Sequence, residues 1–168
     1  MRLVRTEKLI ERGPFAESEE WQTAQAEIEE AIRRVVWPPG SREFRIYPES
    51  GKKRGQGNGV VPIRQAFVNA LSELGWRTEL RIRIGEARGA GAIDAVRPTS
   101  FGPFAVEWES GNISSSHRSL NKLALGLIEG MIAGGAVVMP VNELYQYLTD
   151  RVGRLKEIAP YFPLWRHV

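Results

Sequence analysis

The segment FAVEWESGNISSSHRSLNK, residues 104–122, carries two glutamates, Glu107 and Glu109, one residue apart in an otherwise apolar run. Alternate side chains of a strand share a face, so the two carboxylates project the same way, roughly 7 Å apart along the backbone. Val106 and Trp108 then point to the opposite, apolar side. Asp94 stands in a neighbouring apolar run, AIDAVRP, within reach of Glu107 if the two runs pair as a hairpin. Three acids converging on one patch repel unless something cationic lies between them. A hard divalent ion with oxygen ligands meets that need; Mg²⁺ is the expected cofactor, with Mn²⁺ able to substitute. Such an ion can bind a phosphate oxygen, acidify a water and stabilise a leaving oxygen. The competing reading is a solvated strand face, for which neither an E-x-E nor a lone aspartate between Ile93 and Ala95 requires a ligand.

The elements that must position these acids follow from periodicity. PIRQAFVNALSELG, from Pro62, puts Ile63, Ala66, Phe67, Ala70, Leu71 and Leu74 on one helical face, with Gly75 as the C-cap. Residues 76–84 alternate as a strand, with Thr78, Leu80, Ile82 and Ile84 on one face and Arg77, Glu79, Arg81 and Arg83 on the other. A second strand carries Asp94, and a third runs from about Pro103 to Glu109. Helical spacing then returns with Leu120, Leu123, Ala124, Leu127, Ile128 and Met131. Gly134-Gly135 is read as closing that helix, before a short buried strand at 136–139. A last amphipathic helix is expected near 141–157. Three strands with short connections make an antiparallel meander, and a fourth reached through a helical crossover lies parallel to one of them. The fold class is therefore α/β, with helices on both faces of the sheet.

Upstream, Ser18 is the expected N-cap of a helix over 18–36, ended by Trp37-Pro38-Pro39-Gly40. A short strand is expected at 43–47, and PESGKKRGQGNG, 48–59, reads as a loop. All 168 residues fit a single domain, with a core at about 60–140, an N-terminal helical extension over 1–59 and a C-terminal helix over 141–168. The absence of cysteine excludes disulfides and thiolate-bound zinc. With only His117 and His167, an all-histidine zinc site is excluded too. The N-terminus lacks the apolar stretch of a signal peptide and no segment has the length of a membrane span, so a cytoplasmic protein away from membranes is expected. The net charge is +3, but acids crowd residues 17–30 while Arg42, Arg45, Lys52, Lys53, Arg54 and Arg64 follow with few acids among them. Segregated positive charge suits a polyanionic partner.

The element order, with Asp94 followed after twelve intervening residues by Glu107-Trp108-Glu109, resembles the PD-(D/E)XK nuclease core. Within that superfamily it is most similar to the BamHI- and BglII-like type II restriction endonucleases. The likeness covers about residues 60–140 and is carried by Asp94, FAVEWE and GNISSSHRSLNK. It implies a restriction-endonuclease-like core of helix, three-strand meander, crossover helix and fourth strand. It also implies catalytic roles for Asp94, Glu107 and Glu109. Asp94 and Glu107 would be the main metal ligands, with the main-chain carbonyl of Trp108 as a third. Glu109 stands where most of the superfamily has lysine; the BamHI-like branch has glutamate there, which orients or deprotonates the attacking water. Gly91-Ala92-Ile93 precedes Asp94 where the wider pattern has proline. A further acid from the preceding helix often assists, and Glu73 fits best by position, with Glu79 or Glu86 as substitutes.

The expected activity is Mg²⁺-dependent hydrolysis of phosphodiester bonds at a specific, palindromic site in double-stranded DNA. Two-strand cutting of such a site calls for a homodimer with twofold-related active sites. A cognate methyltransferase would belong to the same system without being a stable subunit. The alternatives are a non-specific or structure-selective repair nuclease of the same fold, or a non-catalytic DNA-binding module. Candidate DNA contacts are Lys52, Lys53 and Arg54 in the loop, and Arg97 after the Asp94 strand. Ser114, Ser115 and Ser116 are candidate helix caps beside a phosphate, and Arg118, Asn121 and Lys122 lie on the polar side of that helix. His117 shares the apolar stripe with Leu120 and Ala124 and is read as a packed residue. The C-terminal YFPLWRHV is either a partner surface or a segment packed on its own core.

Overall fold

The computed structural model describes residues 1–46, 60–82, 91–145, 147–148 and 152–168. Ser18 starts the first helix, α1 (Glu19–Arg34), by accepting the Trp21 amide on its hydroxyl at 3.1 Å. Glu19 and Glu20 occupy its first turn and Arg33 and Arg34 its last, the arrangement that the helix dipole favours. α2 (Val60–Glu73) buries Ile63, Phe67, Val68, Ala70 and Leu71. Gly75 follows its end, and the Trp76 amide returns to the Leu71 carbonyl at 3.0 Å.

Four strands form one sheet: β1 (Arg77–Leu80), β2 (Ile93–Arg97), β3 (Phe104–Trp108) and β4 (Gly134–Val138), in that spatial order. β1, β2 and β3 are an antiparallel meander, and β4 pairs parallel to β3 with Glu107 opposite Val137. The crossover is α3 (Ile113–Ile128). Phe104 and Val106 of β3 pack with α1 and α2, while Ala105 joins Ile93, Val96, Leu123 and Ile132 on the α3 side. The expected α/β core with helices on both faces is therefore present.

Several boundaries differ from the sequence reading, each for a local reason. Among the described residues β1 ends at Leu80, short of the stretch that alternates in sequence; Glu79 within it takes a φ of 54°, and residues 83–84 lie outside the described residues. The short strand expected at 43–47 is reduced, among the described residues, to an isolated bridge between Trp37 and Phe44. The loop 48–59 lies outside the described residues. α3 starts at Ile113 because Asn112 caps it, accepting the Ser115 amide at 3.0 Å; none of the three serines is the cap.

Gly134 and Gly135 open β4 and do not close α3. A Cβ on Gly134 would lie 2.7 Å from the rings of both Phe104 and Phe15, so aromatic packing demands glycine there. Among the described residues, the span 141–157 where one helix is expected holds two short ones, α4 (Asn142–Tyr145) and α5 (Leu155–Ile158), with Val152, Gly153 and Arg154 non-helical between them. The Gly153 amide instead donates to the Gly111 carbonyl at 2.6 Å, tying this segment to the β3–α3 loop. α6 (Phe162–Arg166) then lays Phe162 and Trp165 against Ala124 of α3.

Gly134→Ala should destabilise the fold by about 1–3 kcal/mol, the usual effect of overpacking a tight site. Urea denaturation monitored by tryptophan fluorescence measures it, and an unchanged midpoint would contradict the packing argument.

Candidate active site

The register Ala95↔Val106 carries one step further to Asp94 opposite Glu107. Asp94, Glu107 and Glu109 are 6%, 5% and 7% exposed. Buried carboxylates at this depth are costly unless each is paired or hydrogen-bonded. Each of these three has a different solution.

Asp94 accepts the Trp108 amide on Oδ2 at 2.7 Å and forms an ion pair with Arg64 of α2 through Oδ1. The same Arg64 Nη2 reaches Glu79 Oε1 at 2.7 Å, so one guanidinium bridges two acids. Burial works against the Arg64 charge, but its bonds to Asp94 and Glu79 outweigh that and raise its pKa. Glu107 Oε1 meets the ammonium of Lys122, which reaches in from α3 and also lies 3.4 Å from the Ala92 carbonyl. Burial pushes the Glu107 carboxyl above the ordinary glutamate range; Lys122 pulls it down and the neighbouring Asp94 charge adds to the rise.

Glu109 has no cationic partner among those contacts and relies on donors. Its Oε1 accepts the Gly111 amide at 2.7 Å and the Ser115 hydroxyl at 2.9 Å, and its Oε2 accepts the Ser119 hydroxyl at 2.9 Å. The carboxylate thereby sits at the N-terminus of α3, where the helix dipole favours a negative charge. Gly111 is part of this clamp: a Cβ there would lie 2.2 Å from Ser115 Oγ and 2.8 Å from Glu109 Oε1.

Asp94 and Glu107 offer hard oxygen donors, and Glu107 Oε1 is fully buried with no hydrogen bond of ordinary geometry. That donor set fits Mg²⁺. The three acids do not, however, converge on one point as expected from the sequence. Among the described residues no three His, Asp or Glu side chains form a ready metal cage, because Glu109 is drawn into the first turn of α3. Glu73 is not brought to the acids either. It lies nine residues beyond Arg64 on α2, about 13 Å along the helix, and pairs with Arg34 at 3.4 Å. Through Arg64, Glu79 is the substitute acid nearest the site, and Glu86 lies outside the described residues. The Trp108 amide serves Asp94, and the Trp108 ring stacks 4.9 Å from Phe67.

The predicted DNA contacts divide sharply. Lys52, Lys53 and Arg54 lie outside the described residues. Ser114 and Arg118 are exposed on α3. Arg97 is instead committed to Glu27 of α1, whose carboxylate also accepts the Trp76 indole N–H at 2.7 Å. Asn121 accepts the Trp165 indole N–H on Oδ1 at 2.9 Å, which anchors α6. Ser115 serves Glu109, and Ser116 is buried 3.4 Å from the Asn112 carbonyl. Lys122 is turned inward to Glu107. His117 packs edge-on to Tyr161 at 4.6 Å, so the C-terminal aromatic segment covers its own core.

The sequence reading missed Arg64, Gly111 and Ser119 as parts of the site and gave Lys122 the wrong direction. The signal was available. Ser115, Ser119 and Lys122 recur at i, i+4 and i+7, a polar stripe on a helix whose neighbouring stripe is apolar.

Gly111→Ala should displace Ser115, loosen Glu109 and lower activity by about 10- to 100-fold, with Ser119→Ala acting in the same direction; single-turnover kinetics read both. The raised Glu107 pKa has a thermodynamic sign as well. The folded state holds the Glu107 proton more tightly than the unfolded chain, so its unfavourable contribution grows as pH rises from the ordinary glutamate value through the folded one. The stability of Glu107→Gln relative to the parent should therefore increase from pH 4 toward pH 7 in denaturation curves; a flat difference would contradict the shift.

Comparison with known proteins agrees with this geometry. The Type II restriction enzyme OkrAI of Oceanobacter kriegii is 44% identical over 140 residues, covering 83% of this chain and 70% of that protein. The Type II restriction enzyme BamHI of Bacillus amyloliquefaciens is 37% identical over 150 residues, covering 85% and 68%. The profile of the restriction endonuclease BamHI family matches residues 1–168. With its four-strand sheet, its buried acids on β2 and β3 and a family match along its whole length, the chain belongs to the BamHI restriction endonuclease family.

Proposed function

We propose that this restriction endonuclease hydrolyses phosphodiester bonds at a specific, palindromic site in double-stranded DNA, with Mg²⁺ held by Asp94 and Glu107. The observation that carries the reading is the burial of Asp94 and Glu107 side by side on the two central strands, with Glu109 buried two residues further on, just past the end of β3. Acids in such a place are expensive for folding alone and are typical of functional sites. Mg²⁺, when bound, supplies a Lewis acid for the phosphate and a more acidic water.

The chain's own residues do the rest. Asp94 and Glu107 hold the ion, and the Trp108 carbonyl is the third candidate ligand. Glu109, fixed by Gly111, Ser115 and Ser119, orients the attacking water and takes its proton. Its three donors hold the carboxylate in one orientation. Arg118 and Ser114, both exposed on α3, are candidates to meet the DNA backbone, with Lys52, Lys53 and Arg54 as further candidates from the sequence.

Cutting both strands of a palindrome calls for a homodimer, in which each chain contributes one nuclease domain. The protein would work in the cytoplasm beside a cognate methyltransferase that guards the host sites. Among the described residues no helix is long and apolar enough to cross a membrane.

Plasmid DNA of known sequence, incubated with the protein and Mg²⁺, should yield discrete fragments whose mapped ends share one palindrome. Smeared products would instead point to a non-specific nuclease. Glu107→Ala should abolish cutting while circular dichroism stays native, and retention of full cutting by that variant would overturn the site assignment.

A further inference from the structure

We propose that Lys122 is a built-in counter-ion that a divalent metal displaces from Glu107 before DNA is cut. The inference rests on the metal-site reading above and adds a role for a side chain of α3. Three observations carry it. The Lys122 ammonium and the Glu107 carboxylate are in contact with side chains only 9% and 7% exposed, so neither charge has solvent as an alternative partner. Glu107 Oε1, the atom that Lys122 touches, has no hydrogen bond of ordinary geometry, so its contact with Lys122 is one of charge. On the other side of the site Arg64 matches Asp94, so the two adjacent acids are balanced by two side-chain cations.

A dication entering between Asp94 and Glu107 brings the charge that Lys122 now provides. Both cations cannot share one buried carboxylate without mutual repulsion, which is large where the dielectric is low. Lys122 is the cation suited to leave. Its ammonium is a point charge on a flexible four-carbon stem, whereas the Arg64 guanidinium is a planar fork suited to bridging two carboxylates. Rooted on α3 beside Ser119, Lys122 stays near the site after exchange and is available to a phosphate oxygen of the substrate. The pair thus keeps the metal-free acids folded together and sets a threshold for metal entry.

The test uses Ca²⁺, Asp94 and Glu107 being hard oxygen ligands, with no DNA present. Calorimetry on the full chain should show Ca²⁺ binding that tightens by about tenfold or more in Lys122→Met, within the ordinary range for two coupled sites. Lys122→Gln retains a donor for Glu107 without the charge; it guards against misfolding of the methionine variant and should bind Ca²⁺ more tightly than the parent as well. In thermal melts, the Ca²⁺-induced rise in Tm should be larger for both variants than for the parent. Equal or weaker Ca²⁺ binding in both folded variants overturns the displacement role while leaving the metal site in place. No Ca²⁺ binding by parent or variants, or binding that survives Glu107→Ala unchanged, overturns the metal-site reading itself.

Discussion

Two carboxylates on adjacent central strands, buried from both sides, must be matched by positive charge or the sheet cannot close over them. Asp94 and Glu107 meet this constraint from opposite directions. Arg64 comes from α2, the helix before the meander, and Lys122 from α3, the crossover after it. The ion pairs therefore tie both helical layers to the same point of the sheet. A shift of either helix by one turn would withdraw its cation and leave a bare buried acid.

α3 has two jobs, and its sequence is divided accordingly. Leu123 and Ala124 are buried in the apolar clusters on either side of it, whereas Ser115, Ser119 and Lys122 form a stripe aimed at the acids. Its start is fixed by Asn112 and its loop by the Gly111–Gly153 hydrogen bond, so the C-terminal segment braces the turn that holds Glu109. α6 adds to this through Trp165, which donates to Asn121 and packs near His117. Residues that looked like free polar surface are thus spent on positioning one carboxylate and one helix.

Much of the core was legible from local pattern. Apolar spacing identified α1, α2 and α3, alternation identified β1 and short apolar runs the other strands, and the short connections pointed to a meander followed by a parallel fourth strand. The boundaries that slipped did so where a distant contact decides. Phe15 and Phe104 require glycine at 134, which a reader of the chain takes for a helix stop. Gly153 pairs with Gly111, forty-two residues away, and breaks what periodicity presents as one helix. Arg97 pairs with Glu27 across the fold, a partner that no local window contains.

The sequence by itself singled out Asp94 and Glu107 as a candidate pair, because residues paired across a hairpin lie on one face by strand geometry alone. It also determined the order of elements that brings them together. Only the tertiary structure decided what surrounds those acids. Side-chain direction on α3, the reach of Arg64 and the separation of Glu109 from the Asp94–Glu107 pair depend on how helices dock against the sheet. Docking is settled by the summed burial of many side chains, not by the residues that carry the chemistry.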